Sequence, residues 1–481
     1  MSFSSFSFGI FLLIAFFIYY ALPSQKRWAV LLCASIIFYM SYSPSHILIL
    51  GVITLITYVS AIRIDVSDST LSRKLWFAFA LVSSTGLLIF FKYFNFFSVS
   101  ITSITRMFLP DVQPIILQLL LPAGISFYTF QSLGYLIDVY KGQIHAERHF
   151  GIYAAFVSFF PQILSGPIGR GGRLLPQYHN SITFNYDDIT YGLKLMAWGY
   201  FKKLAIADTY SLYVNKIYDS MQQYEGLSLF LATLMFTIQI YCDFSGYSDI
   251  AIGTARLFGI HLDINFKSPY FSSSVKEFWS RWHISLSQWF RDYVYIPLGG
   301  NRKGTFRTYA NLLVTFLVSG LWHGANWTFV IWGALHGIGQ ILEKLFHTNA
   351  RNSTTTGRVN RAFRTLLTFI FCSFAWAFFR ANNVQDALYM FSHFMIGIAQ
   401  PITYLRTAYG DLSLSWHTVF FLSIPMIPLV LFDYYSLRLN VIEKISSLSL
   451  GKRWMIYICF VLFVVILLPA GSGHQFIYFQ F

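Results

Sequence analysis

The stretch Leu312–Gly337, LLVTFLVSGLWHGANWTFVIWGALHG, holds a histidine between two apolar runs. That residue, His323, follows Ser319, Gly320, Leu321 and Trp322 and precedes Gly324, Ala325, Asn326 and Trp327. No lysine or arginine stands close enough to make it an ordinary surface residue. An ionisable side chain inside a bilayer is costly, so its default reading is functional. An imidazole with an unperturbed pKa of about 6.5 can take a proton at physiological pH, which is the chemistry of a general base. The plainer reading is a histidine hydrogen-bonded between helices.

Other residues extend the chemistry. His283, within Trp282–Trp289 (WHISLSQW), taken alone reads as an interfacial histidine. His336 reads as a supporting or helix-packing residue. The histidines lack the spacing of a zinc helix motif, so no metal is expected. Asp243 and Asp249 flank FSGYS after an apolar run, and Asp138 closes the run that ends at Tyr140. In a transporter such acids would be ion or proton sites. In an enzyme they could orient a histidine or shape a pocket, and as helix ends they would simply meet water. Between Lys267 and Arg307, Lys276, Arg281, Arg291, Arg302, Lys303 and Arg307 interleave with Phe278, Trp279, Trp282, Trp289, Phe290 and Tyr293. With Arg170 and Arg173 they could cradle a phosphate-bearing donor, although each one singly reads as loop charge. The tail Phe476–Phe481 (FIYFQF) offers one hydroxyl, Tyr478, in what is otherwise an aromatic interface anchor. No phosphate-binding loop, dinucleotide fingerprint, nucleophile elbow or kinase motif occurs.

The elements that position these residues must lie in a membrane. Hydrophobic residues make up 56% of the 481 and charged ones 11%, against about 25% in soluble domains. The net charge of +14 could suggest nucleic acid, but its positions argue otherwise. Lys26 and Arg27, then Arg63, Arg73 and Lys74, then Lys141 and Arg148 lie in short loops between apolar runs. So do Arg351, Arg358, Arg361 and Arg364, and finally Lys444, Lys452 and Arg453. This is the positive-inside pattern, and it points to membrane lipid as partner and excludes nucleic acid.

Apolar runs predict spans at Phe6–Leu22, Trp28–Tyr42, Ile47–Ile62, Leu75–Phe94, Pro114–Tyr140, Tyr153–Leu164 and Tyr191–Ile206. Further runs are Leu227–Ala255, Tyr309–Trp322, Trp327–Leu345, Leu366–Phe379, Trp416–Phe432 and Trp454–Leu468. Several are short for a span of about 20 residues, so the expectation is an all-α polytopic protein with roughly eleven crossings plus re-entrant and amphipathic helices. The expected organisation is one transmembrane domain over residues 1–481, with both termini outside and the N-terminal run retained as a span. His323 is expected near the tip of a hairpin that starts and returns inside. Phe160–Arg170, rich in Gly and Pro, is too irregular for a span, and Lys267–Arg307 reads as an amphipathic segment at the cytoplasmic face. Cys33, Cys242, Cys372 and Cys459 have no paired spacing and read as packing residues.

Four stretches carry a family resemblance: Tyr241–Gly253 (YCDFSGYSDIAIG), Phe278–Leu298 (FWSRWHISLSQWFRDYVYIPL), Ser319–Trp327 (SGLWHGANW) and Trp376–Ala381 (WAFFRA). On these the chain resembles the membrane-bound O-acyltransferases, specifically their bacterial cell-envelope branch. The resemblance implies that His323 is catalytic and that His283 assists it or positions substrate. It implies a ring of helices with a thinned centre, and a channel joining a cytosolic donor side to an outer acceptor side. It also implies that Tyr478 presents an acyl acceptor. The expected activity is O-acyl transfer in the inner membrane from a cytosolic thioester, acetyl-CoA, with no bound cofactor. The acetyl group would pass to an extracytoplasmic polysaccharide of alginate, cellulose or peptidoglycan type. Lys276, Arg281, Arg291 and Arg302 would hold the donor, and a periplasmic SGNH-type or esterase-like transferase would complete delivery. Two other readings stand beside it: D-alanyl transfer to teichoic acid, and a lipid or sugar transporter.

Overall fold

The computed structural model describes residues 1–42, 44–347 and 358–467. Every regular element among them is helical, as an apolar chain requires where no water satisfies backbone groups. Among the described residues six helical stretches are long and apolar enough to cross a membrane: Pro44–Val66, Thr70–Thr105, Leu227–Leu257, Val359–Arg380, Trp416–Ser436 and Leu450–Leu467. The expected all-α membrane class therefore holds.

The chain forms two compact units, one from residues 1–193 with 251–263 and the other from 194–250 with 264 onward. The first contains α1 (Phe6–Ala21), α2 (Arg27–Met40), α3 (Ile47–Val66), α4 (Thr70–Leu88), α5 (Phe94–Thr105), α6 (Ile125–Tyr140), α7 (Phe150–Ser158) and α8 (Gly171–His179). A π turn, Ile89–Tyr93, joins α4 to α5. α3 packs on α4 and α6, and α2 on α7.

The predicted run Pro114–Tyr140 is helical only from Ile125. Pro122 disfavours helix in the residue before it, and Gly124 takes a left-handed φ of 73°. A Cβ at Gly124 would also collide with the Ile163 carbonyl. Irregular backbone at 159–170 is buried, as expected of such a segment away from lipid. Gln131 serves it from α6: Nε2 donates to the Phe156 carbonyl at 2.6 Å, and Oε1 accepts from Gly169 N–H at 3.1 Å and from Gln162 Nε2 at 3.0 Å.

α9 (Tyr186–Tyr200) and α11 (Leu227–Leu257) contribute residues to both units. The second unit continues from α9 through a π-helical stretch, Phe201–Ala207, into α10 (Asp208–Tyr218). After α11 come α12 (Val275–Arg281), α13 (Ile284–Phe290), α14 (Thr305–His323), α15 (Trp327–His347) and α16 (Arg358–Arg380). α17 (Val384–His393), α18 (Pro401–Asp411), α19 (Trp416–Ser423), α20 (Met426–Ser436), α21 (Val441–Ser446) and α22 (Leu450–Leu467) complete it.

The segment 267–307 buries aromatic residues and exposes Lys276, Arg291, Arg302, Lys303 and Arg307, but not as one continuous element. It is broken into α12, α13 and a π turn at Arg291–Tyr295. Phe278, Trp279, Trp282, Trp289 and Phe290 are buried, so its aromatic face packs into protein. The break falls at His283, whose φ of 44° is left-handed.

Candidate active site

The hairpin expected around His323 is present. α14 ends at His323, α15 begins at Trp327, and the two helices pack along their length. Small residues let their backbones meet. A Cβ on Gly320 would collide with the Phe329 carbonyl, and one on Gly333 with the Phe316 carbonyl. Close approach of this kind is how helices associate where lipid removes the hydrophobic drive between them. It leaves His323 at the turn, 3% exposed. Three aromatic rings surround it: Trp322 and Trp332 at 4.9 Å and Phe379 at 5.4 Å between centroids.

His283 joins it there. The ring centroids of the two histidines are 6.5 Å apart. His283 is fully buried, against its reading as interfacial. It lies outside the candidate spans, and burial pushes its pKa down to about 3, so the ring is neutral near pH 7. Phe244 of α11 meets it edge-on at 4.7 Å. Trp376 packs on Trp282 at 4.8 Å and on Trp332 at 5.4 Å. The four motif stretches, separated by tens of residues, thus supply Phe244, His283, His323 and Phe379 to one aromatic-walled site. His336 lies one ring further on. Trp332 touches it at 5.0 Å, and its Nδ1 accepts from Trp279 Nε1 at 3.2 Å, which fits its reading as a support.

Asn265 escaped the sequence analysis. Its Oδ1 accepts from Ser285 N–H at 3.2 Å and from Ser285 Oγ at 2.9 Å, and faces His283 Nδ1 at 3.2 Å. Its backbone carbonyl accepts from Ile284 N–H at 2.9 Å. The short polar loop that carries it, HLDINFK, has no motif to flag it.

Asp243 and Asp249 are not helix-end residues. α11 runs unbroken through both. Lys203 Nζ contacts Asp243 at 2.6 Å and Asp208 at 2.9 Å, and Lys202 Nζ contacts Asp249 at 2.6 Å and Ser245 Oγ at 2.9 Å. Buried charges persist when paired, so these acids carry structural ion pairs with the π-helical stretch. The adjacent lysines within an apolar run, GYFKKLAIAD, were the available signal. Tyr241 likewise donates to Asp433 Oδ2 at 2.7 Å.

Of the basic residues assigned to a donor, Lys276, Arg291 and Arg302 are exposed. Arg291 pairs with Asp292 at 2.7 Å, and the partly buried Arg281 with Glu277 at 2.6 Å. In the first unit Arg173 pairs with Asp263 at 2.9 Å. Asp138, 8% exposed, lies in the last turn of α6. Tyr478 and the rest of the tail lie outside the described residues, as does Arg351.

Known proteins match the chain closely. The description "MBOAT, membrane-bound O-acyltransferase family" fits residues 147–384, a range that holds both histidines and Asn265. A probable alginate O-acetylase of Azotobacter vinelandii is 40% identical over 78% of this chain and 74% of its own length. One from Pseudomonas putida is 36% identical over 98% of each. A peptidoglycan O-acetyltransferase of Helicobacter pylori is 37% identical over 76% of this chain and 72% of its own.

Proposed function

Because this chain belongs to the membrane-bound O-acyltransferase family and is an integral membrane O-acyltransferase, we propose that it moves acetyl groups from cytosolic acetyl-CoA across the inner membrane to an extracytoplasmic polysaccharide. The observation that carries this reading is the convergence of four distant stretches on His283 and His323, 6.5 Å apart in a buried aromatic site. The relatives matched over most of their length are named for O-acetylation of alginate or peptidoglycan. Their names favour a polysaccharide acceptor over D-alanyl transfer. Asp243 and Asp249, two of the acids that a transporter reading would use, are paired with lysines, which favours a structural role for them.

In the proposed reaction His323 takes the proton of an acceptor hydroxyl as its oxygen attacks the thioester carbonyl. The carbon–sulfur bond breaks, and the leaving thiolate takes the proton back from His323. Aromatic walls exclude water that would hydrolyse the thioester. His283 orients the reacting groups. Exposed Lys276 and Arg302 meet the donor phosphates first, and Arg281 and Arg291 exchange a carboxylate partner for a phosphate one. Tyr478 is the proposed first acceptor, and a periplasmic SGNH-type or esterase-like partner passes the group on to polymer.

Incubation of the purified protein in lipid with acetyl-labelled acetyl-CoA tests the reading. Thiol release with label on Tyr478 is expected. Thiol release that persists in Tyr478→Phe, with label elsewhere, would move the acceptor. No release with any acetyl thioester would overturn the donor assignment.

A further inference from the structure

The hydrogen bonds around Asn265 settle a question that ring positions alone leave open, namely which nitrogen of His283 carries the proton. A backbone N–H can only donate, so the Asn265 atom facing Ser285 N–H at 3.2 Å is the carbonyl oxygen. The amide cannot be turned over without setting its NH2 against that N–H. The Ser285 hydroxyl, at 2.9 Å from the same oxygen, agrees. The amide's other end, Nδ2, reaches Ser248 Oγ at 3.4 Å. His283 Nδ1 lies 3.2 Å from this fixed acceptor and therefore carries the hydrogen. On a neutral ring Nε2 is then the basic atom.

The backbone of the same residue is bound up in the arrangement. Asn265 O accepts from Ile284 N–H at 2.9 Å, and two residues on Lys267 N–H donates to the Arg281 carbonyl at 2.9 Å. The 265–267 strand of chain thus clamps the break between α12 and α13 on both sides of His283. A bulky residue at φ 44° is strained, and such strain persists only where its surroundings over-determine it.

We propose that Asn265 is a positioning residue that locks His283 as its Nδ1–H tautomer and presents Nε2 as a proton acceptor, an inference that rests on the acyl-transfer reading above. It narrows the role of His283. With its one hydrogen committed to Asn265, the neutral ring cannot donate to the thioester carbonyl, so it does not stabilise an oxyanion. It accepts a hydrogen bond, from the acceptor hydroxyl or from His323 after that ring has gained its proton. The His283–Asn265 pair thereby follows the general logic of a base held in place by a third group.

The experiment combines tautomer spectroscopy and kinetics on the full-length protein in lipid. Nitrogen NMR of histidine-labelled protein, with His283 assigned from the spectrum of His283→Gln, should show Nδ1 protonated and Nε2 bare. Asn265→Leu, which removes the acceptor, should shift that tautomer population and lower kcat roughly 100-fold with donor KM unchanged. Asn265→Asp keeps an oxygen for Nδ1–H and for Ser285, and should retain the tautomer and most of kcat. A protonated Nε2 in the native protein would overturn the proposal, as would Asn265→Leu with unaltered tautomer and kcat. If Asn265→Leu does not fold, the native spectrum and Asn265→Asp still decide. His323→Ala run alongside separates the two levels. Full transfer in that variant would sink the acyl-transfer reading, whatever the tautomer at His283.

Discussion

At the scale of single residues, the site is two histidines made different by their surroundings. His283 is clamped by Asn265 in a left-handed conformation, whereas His323 ends a helix among the rings of Trp322, Trp332 and Phe379. Burial depresses the His283 pKa to about 3, from 6.5 for an exposed imidazole. Between those values the unfolded chain binds a proton there and the native one does not. Stability from this group is therefore fully present above about pH 6.5 and is lost as pH falls toward 3. His283→Gln should flatten that acid loss, measured as melting temperature against pH in detergent. An unchanged acid slope would show that the native ring titrates as if exposed. The same substitution should cut acyl transfer by roughly 100-fold. His323 was legible in the sequence because a histidine in an apolar run is expensive wherever it lies. Asn265 was not, because its role comes from a chain crossing that places it against residues 283–285, and no local spacing encodes that.

At the scale of elements, two devices hold the site. The first is the glycine-mediated contact of α14 with α15, which sets the turn at His323. Gly333→Leu would drive a side chain into the Phe316 carbonyl. It should cost at least about 1–3 kcal/mol, the usual range for overpacking, and move His323 away from His283. Melting temperature and activity should fall together, and a fully stable, fully active Gly333→Leu would show that the helices do not touch there. The second device is the set of ion pairs joining the 201–207 π-helical stretch to α11 and to the start of α10. Lys203→Met removes the cation shared by Asp208 and Asp243 and should destabilise by roughly 3–5 kcal/mol, the range for breaking a buried ion pair. Adding Asp208→Asn and Asp243→Asn should restore much of the melting temperature. A triple variant no more stable than Lys203→Met would refute the pairing. Helices such as α3, α11 and α22 could be read from composition. The run from Pro114 could not, because hydropathy is blind to the start that Pro122 and Gly124 impose at Ile125. The breaks in segment 267–307 were hidden for a related reason. Interleaved rings and cations show in one dimension that rings go in and cations out, but not that the chain turns at His283 between α12 and α13.

At the scale of the molecule, an all-helical membrane protein was plain from 56% hydrophobic and 11% charged residues. The number of crossings was less plain. Roughly eleven apolar runs were expected to cross, and six described stretches have the length and composition to do so. An apolar run reports burial without saying in what. α6 is 16 residues long and buried in protein along nearly its whole length, whereas only 6% of the α22 window is. The proposed donor side is testable at Arg302, which is exposed. A single cysteine there, in a chain otherwise free of cysteine, should react with an impermeant thiol reagent only after the inner membrane is opened, and labelling in intact cells would reverse the assigned orientation. The central claim, that His323 removes the proton in acyl transfer, has a more direct test. Polymer-bound acetate should be measured in cells carrying His323→Ala at native membrane abundance, beside wild type. The account predicts loss of acetate to the level of cells without the protein. Acetate at the wild-type level, in a variant present in the membrane, would contradict it.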